Sequence, residues 1–328
     1  MSLYRRCFVV ALVALAAAFP QLTYAQGAEG FPRRQIQLWV PAPAGGPTDA
    51  GARIVAAIAE KELGQPVVVL NKPGAGGQVG VTEFVRQKPD GYNIGFIFMP
   101  GVNTIVLDPE RKAIFSMADF TPLVNQVLDP GAIWVKADSP IKALNDLIEA
   151  ARKEPGKVSA CTTGILSDDH LAILMLEEAA KVKFRIVHLE GAAGQLTAIL
   201  GGHVDVAFDN VGSVSKRVKA GELRVLAVTD PERSKFLPEA ATTKELGFPT
   251  VVSSSTRGIV APKGLPAPIA EKLQAAFRKA MEHPDHVKRM EETGLGLKVL
   301  EGAAYGKLID EVHAVATKYA EWARQRQQ

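Results

Sequence analysis

The residues best placed to do chemistry are Gly45 and Gly46, between the apolar run 36–40 and a helical pattern starting near residue 49, with Thr48 and Asp49 beside them. The first N–H groups of a helix have no intrahelical partners and sit at the positive end of its dipole. A strand, a glycine loop and a helix therefore outline an anion site. A nucleotide phosphate does not fit, because the loop continues Pro47-Thr48-Asp49 and lacks the Gly-Lys-Ser/Thr of a phosphate loop. A smaller anion does.

Three further loops repeat the arrangement. Residues 71–80, NKPGAGGQVG, follow an apolar run and open a helix, with Gly76, Gly77 and Gln78 at the transition. The glycines are spaced G-x-G-x-x-x-G, and the only acid near the right distance, Asp90, stands in the turn Pro89-Asp90-Gly91-Tyr92, so a dinucleotide is excluded; a purely structural turn is the alternative. Residues 162–170 read TTGILSDDH, in which Ser167 is a natural N-cap, and Asp168 and Asp169 suit a first helical turn whatever the function. Those two acids would oppose an anion bound there, or accept a donor group of the ligand. The fourth loop, residues 189–195, is small enough for close ligand approach and adds one amide, Gln195.

Catalytic patterns are missing. No G-x-S-x-G or H-E-x-x-H occurs, and Cys161 with His170 and Asp209 reads as a small buried cysteine near polar neighbours rather than a triad. His283 and His286, separated by Pro284-Asp285, have no further ligand nearby and read as surface residues. No Cys/His metal spacing is present, and neither a metal nor a cofactor is expected.

The first 25 residues differ from the rest: Arg5 and Arg6 precede an apolar run at 7–19, and Thr23-Tyr24-Ala25 offers small residues before a cut after Ala25. This is a secretory signal peptide, its apolar run too short to span a bilayer. Without it the chain has 36 basic residues against 35 acidic ones, which argues against a nucleic-acid partner. Cys161 is left as the lone cysteine, so no intramolecular disulfide can form. A soluble, monomeric periplasmic protein without stable membrane insertion is expected.

The elements that must position the loops follow a strand–helix alternation. Apolar runs at 36–40, 67–70, 94–98, 133–135, 185–189, 204–208 and 223–229 alternate with helical patterns at 49–62, 77–87, 141–153, 168–180, 192–200, 268–282 and 303–325. That is the rhythm of an α/β fold with a mostly parallel sheet. The apolar stripe Tyr305, Leu308, Val312, Val315, Tyr319, Trp322 of the last helix is expected to pack on its own domain. Two strand–loop–helix units in each of two domains would let helix N-termini face each other across a cleft, as a clamp.

The ordered set PAPAGGPTDAGAR, LGQPVVVLNKPGAGGQVG, KPDGY, DFTPLV, G-x-x-S-x-x-H-L-A at 164–172, GGHVDVAF, GELRVLAVT and LPEAATTKELGF resembles the Bug-type solute receptors of tripartite tricarboxylate transporters over essentially the whole chain after residue 25. The resemblance implies a two-domain periplasmic binding protein of the type II, Venus-flytrap form. On that resemblance, roughly residues 26–127 plus 227–328 would form one domain and 128–226 the other, joined by two hinge crossings. It implies a small carboxylate held by Pro43, Ala44, Gly45, Gly46, Thr48, Asp49, Gly76, Gly77 and Gln78 of the first domain. Thr163, Gly164, Ser167, His170, Gly191, Ala192, Gln195 and Asp209 of the second would hold the other end. It also implies delivery to membrane permease subunits and no catalysis. A signalling co-receptor that docks on a sensor kinase is the alternative, an exported hydrolase the third. Departures from the family pattern fall in the second domain: Leu189-Glu190-Gly191 and Gly194-Gln195, Leu166 at a usual glycine, and Ser253-Ser254-Ser255-Thr256-Arg257-Gly258 without the usual tryptophan. Arg257 could take a carboxylate through two parallel hydrogen bonds, the alternative being an exposed or salt-bridged arginine.

Overall fold

In the computed structural model, described over residues 30–189 and 191–327, the first apolar run is strand β1 (Ile36–Val40). It is followed by α1 (Pro47–Leu63), β2 (Val67–Asn71), α2 (Gln78–Phe84), β3 (Asn93–Met99) and α3 (Gly101–Leu107). β1 pairs in parallel with β2 on one side and β3 on the other. A parallel strand covered by helices on both faces needs apolar residues on both, and Ile36, Leu38 and Val40 are fully buried while Trp39 packs on the opposite face. α1 lays Ala52, Val55, Ala56 and Ala59 on the sheet beside α8 (Ala267–Glu282), and ends where Gly64 takes the left-handed conformation.

β4 (Phe120–Lys136) joins the two halves of the molecule. Its first part pairs with β9 (Ser254–Pro262) and its last part with β7 (Val206–Asn210) and β8 (Leu223–Val228). Between β4 and β8 lie α4 (Leu144–Lys153), β5 (Ser159–Thr162), α5 (Asp168–Ala180), β6 (Arg185–His188), α6 (Gly191–Leu200), β7 and α7 (Val211–Lys219). After β9 come α8, α9 (Pro284–Thr293), β10 (Leu297–Glu301) and α10 (Gly302–Gln327). The ten strands run β2-β1-β3-β9-β4-β7-β5-β6, with β8 and β10 also on β4.

Strand direction decides where a ligand could sit. β3 is antiparallel to β9 and β9 to β4, so β4 leaves the first unit at the C-terminal edge of its parallel strands. β7 is antiparallel to β4 and parallel to β5, which is parallel to β6, so the second unit turns its C-terminal edge back toward the first. Both sets of helix N-termini therefore face one interface, the place where open α/β sheets take ligands.

Several expectations need correcting. β4 reaches far beyond 133–135 because Asp129-Pro130-Gly131, turn-like in sequence, is extended where the strand passes between partners. β9 was hidden by its polar start, SSTR. α3, α7 and α9 are short and follow directly on other elements. His286 is fully buried, not a surface residue: its Nε2 lies 2.8 Å from the Nε2 of Gln126, and burial pushes the imidazole down to about 4. His283 does stand at the surface and caps α9, its Nδ1 accepting from the Asp285 N–H. The stretch after β8, assigned from sequence to the first domain, contributes Leu237 and Val251 to the cores of the second. α10 does not keep to one domain: Tyr305 and Ile309 join the core around Trp39 and Phe84, while Ala316, Tyr319 and Ala320 join that of α5. The signal peptide and its cut after Ala25 lie outside the described residues. Among the described residues no helix is long and apolar enough to cross a membrane.

The α1–α8 core makes a direct prediction. Phe277 is fully buried there, and Phe277→Ala should cost about 3–5 kcal/mol of unfolding free energy in a urea titration. An unchanged midpoint would contradict this packing.

Candidate functional site

The first-unit loops are built from short hydrogen bonds around one carboxylate. Asp49, in the first turn of α1, is almost fully buried and accepts from the Gly45 N–H, Arg53 Nε and Asn71 Nδ2, each at 2.9 Å. Arg53 also donates to Asn71 Oδ1 at 2.8 Å, and Asn71 Nδ2 reaches the Ala42 carbonyl at 3.1 Å. Burial pushes the Asp49 carboxyl up, but the donors from Arg53, Gly45 and Asn71 outweigh it and leave it below the ordinary range. Asp49 therefore spends its charge shaping the loop 42–46. Gly45 sits at φ +84° with open space where a side chain would be, and Pro47 opens the helix, leaving the N–H groups of Thr48 and Asp49 as donors of its first turn.

The second loop packs against the first. Gly74, Ala75, Gly76 and Gly77 all have positive φ, and a Cβ at Gly77 would lie 2.9 Å from the Pro41 carbonyl oxygen. Gln78 donates to the Arg111 carbonyl at 2.8 Å, and Arg111 Nη1 donates to the Ala75 carbonyl at 3.0 Å. The Arg111 guanidinium thus lies over Gly76, a cation beside the glycine loop that the sequence did not single out.

On the second unit, buried carboxylates converge. Asp168 and Asp169 start α5, Asp209 is the last residue but one of β7 and Asp129 stands on β4 where it changes partners; all are more than nine-tenths buried. Asn210 Nδ2 donates to Asp168 Oδ2 at 2.6 Å and to the Asp129 carbonyl at 3.0 Å, the Gly212 N–H donates to Asp129 Oδ1, and the Thr163 N–H and hydroxyl both donate to Asp169 Oδ2. Arg257, on β9, acts electrostatically on Asp129 and Asp168 and is itself buried, so the exposed alternative is excluded. Burial raises the carboxyls of all four, Asp129 to about 6 and Asp209 to about 7, with Arg257 opposing the rise at Asp129.

The remaining second-unit residues have mixed settings. Ser167 Oγ caps α5 by accepting from the His170 N–H at 3.2 Å. Leu166, at the family's usual glycine, does take a left-handed φ of +56°; its N–H donates to His170 Nδ1 and its carbonyl accepts from Thr104 Oγ1 of the first unit. His170 and His188 meet edge to face at 4.8 Å, and burial pushes His170 down to about 3, so it is neutral. Both line a cavity of about 510 Å³ with Leu107 and Pro109 of the first unit. Gln195 is fully buried, its Nε2 donating to the Cys161 and Phe208 carbonyls, which leaves only Oε1 for anything else. Cys161 beneath it is pushed up to about 12, an inert thiol. Gly164 (φ +154°) and Gly191 (φ +67°), beside Thr163 and Ala192, have open space where a side chain would stand.

The sequence thus singled out both glycine loops and most of the acidic cluster, but missed Asn71, Arg111, Asp129 and Asn210. Asp129 was masked by its Pro-Gly neighbours, and Asn71 is detectable only through its distance from Asp49 in space. Among the described residues no group of three or more His, Cys, Asp or Glu side chains is arranged to hold a metal.

Comparison with known proteins gives the family and the fold. The sequence model of the tripartite tricarboxylate transporter family receptor matches residues 51–319. A UPF0065 protein from the tcbD-tcbE intergenic region of Pseudomonas sp. strain P51 is 35% identical over 90% of this chain and 87% of its own length. A TctC solute-binding protein from Polaromonas superposes with a TM-score of 0.77 at 30% identity, covering 88% of this chain and 98% of that one. MatC from Rhodopseudomonas palustris, solved with bound malate, gives 0.75 at 26% identity, over 88% of this chain and all of that one.

The raised carboxyls fix the sign of a pH effect. Burial pushes the Asp209 carboxyl from its ordinary 3.8 up to about 7 in the folded chain, so stability should rise as pH falls from about 8 toward 5 and be lost as pH rises through about 7. Urea titrations across that window should show a smaller gain for Asp209→Asn than for the parent chain; parallel curves would mean that burial does not raise this group.

Proposed function

The chain belongs to the receptor family of tripartite tricarboxylate transporters, and we propose that it captures a small carboxylate between its two units and presents it to membrane permease subunits. The observation that carries this reading is the opposed direction of the two sheets, which turns the C-terminal edges of β1–β3 and of β5–β7 toward each other. The N–H groups that open α1, next to glycines that admit close approach, suit a carboxylate oxygen pair better than any cation. In this reading one carboxylate lies at Pro43, Ala44, Gly45, Gly46 and Thr48, against Gly76, Gly77 and Gln78. Asp49 supports the loop from behind rather than meeting the ligand.

The second unit selects the rest of the ligand through Thr163, Gly164, Ser167, Gly191 and Ala192, with Asp209 and Arg257 at the floor. β4 and β9 serve as the two hinge crossings, and a ligand touching both units favours the closed arrangement because only that arrangement lets it make all its contacts. The protein acts in the periplasm as a monomer, and performs no chemistry on its ligand. The malate held by MatC supports a carboxylate of this size class.

A thermal-shift panel of aliphatic, aromatic and amino-bearing carboxylates tests the reading on the chain from Gln26 onward, stripped of bound ligand by unfolding and refolding. A ligand at ~100 times its Kd should add about 2.7 kcal/mol. Gly77→Ala, which forces a side chain against Pro41 at a left-handed φ, should weaken every binding carboxylate by roughly tenfold in calorimetry. Unaltered affinity in that variant would remove the second loop from the cradle; no shift across the whole panel would contradict the receptor reading.

A further inference from the structure

The cavity beside His170 and His188 has no part in holding a carboxylate, yet it has the make-up of a ligand site. Its volume of about 510 Å³ falls in the range of small-molecule pockets. Leu107, which ends α3, and Pro109 form one wall; Leu174 of α5, Phe184, Ile186 of β6 and Trp322 of α10 form the others. Phe184, Trp322 and the two imidazoles give it four aromatic rings, which suits a flat ring better than an aliphatic chain.

One buried polar group serves this space. His170 is 6% exposed and lines the cavity. Its Nδ1 accepts from the Leu166 N–H at 2.9 Å, so in the neutral ring the proton sits on Nε2. Burial keeps the ring neutral. Among the described residues Nε2 has no hydrogen-bond partner, and the ring stands edge to face against His188. Leu166 takes a left-handed φ of +56° in the turn that fixes this tautomer, and its carbonyl accepts from Thr104 Oγ1 of α3. A buried N–H without an acceptor is costly, so a ligand that supplies one gains by it.

The charged groups at the cavity set the charge of its occupant. Asp108, Glu110 and Glu177 outnumber Lys183, and burial pushes the His188 imidazole down. Asp108 is paired with Arg111 at 3.4 Å, and Glu177 accepts from the Phe184 N–H at 2.7 Å. An anion would meet these acids, whereas a cation would meet the Nε2–H of His170.

We propose that this cavity is a second binding site, separate from the carboxylate cradle, for an uncharged aromatic molecule that carries a hydrogen-bond acceptor. The ring lies among Leu107, Leu174, Phe184 and Trp322, and the acceptor takes the His170 Nε2–H. Leu107 and Pro109 belong to the first unit and Leu174, Phe184 and Ile186 to the second, so an occupant favours the arrangement that brings the two together.

The test uses four probes of similar size on the chain from Gln26 onward, followed by ligand-observed NMR and calorimetry: acetophenone, toluene, phenylacetate and benzylamine. Acetophenone should bind roughly tenfold or more tightly than the two charged probes, and roughly threefold or more tightly than toluene, which lacks the acceptor. His170→Phe should erase the preference for acetophenone over toluene while toluene still binds. Leu174→Trp and Ile186→Trp fill the cavity from two different elements, and each variant that keeps its circular dichroism should lose acetophenone. If phenylacetate binds more tightly than acetophenone, the cavity is the far end of the carboxylate site; the second site is then rejected and the receptor reading stands. Tighter binding of benzylamine would reject the uncharged class. Absence of binding by all four probes, or acetophenone affinity unchanged in the filled variants, would overturn the proposal.

Discussion

The antiparallel pairing of β4 with β9 carries both halves of the molecule, because these two strands pass between them and fix the direction of everything attached. β4 enters the second unit at the C-terminal edge of the first, and its pairing with β7 then forces β5, β6 and β7 to point back. The helix N-termini of both units inherit that direction. Their backbone donors, scattered over sequence positions 46 to 211, are thereby gathered on one interface, where the helix dipole favours an anion. The crossing strands themselves bring Asp129 and Arg257 to the same place. α10 adds a second tie, packing Tyr305 on the first core and Tyr319 on the second, where Tyr319 Oη donates to Glu178 at 2.7 Å.

Two kinds of acid then play opposite parts. Asp49 is matched by three donors and stays ionised, so its work is finished inside the loop. Each of the four floor aspartates also accepts at least one hydrogen bond, from Asn210, Gly212 or Thr163, yet burial raises their carboxyls. A group already satisfied by its own fold organises a site, whereas one left short of partners is where a ligand gains energy.

Much of this was legible in the sequence, for identifiable reasons. The strand–glycine–helix units announced themselves because an apolar run, a glycine cluster and an amphipathic pattern are all local signals; β1 and α5 occupy the ranges read for them. Ser167 was recognisable as a cap because capping depends on residues three apart. What stayed hidden depends on tertiary pairing. β9 begins with polar residues that only strand partners on both sides make into a sheet element. His286 looks solvated in its Pro-Asp context, and only the packing of α9 onto α1 and Gln126 buries it. The hydrogen-bond partners of Asp49 were hidden for the same reason: one donor, Asn71, comes from the end of β2, beyond the helix that carries Asp49.

The most direct test of the account is a crystal structure of the chain with a carboxylate that binds it in solution. Carboxylate oxygens are expected within hydrogen-bond distance of the backbone N–H groups of Gly46, Thr48, Asp49 and Gly76, with the remainder of the ligand toward Thr163, Ser167, Asp209 and Arg257. A carboxylate bound elsewhere, such as the groove that Leu308, Val312 and Val315 of α10 form with Leu171 and Met175, would contradict it.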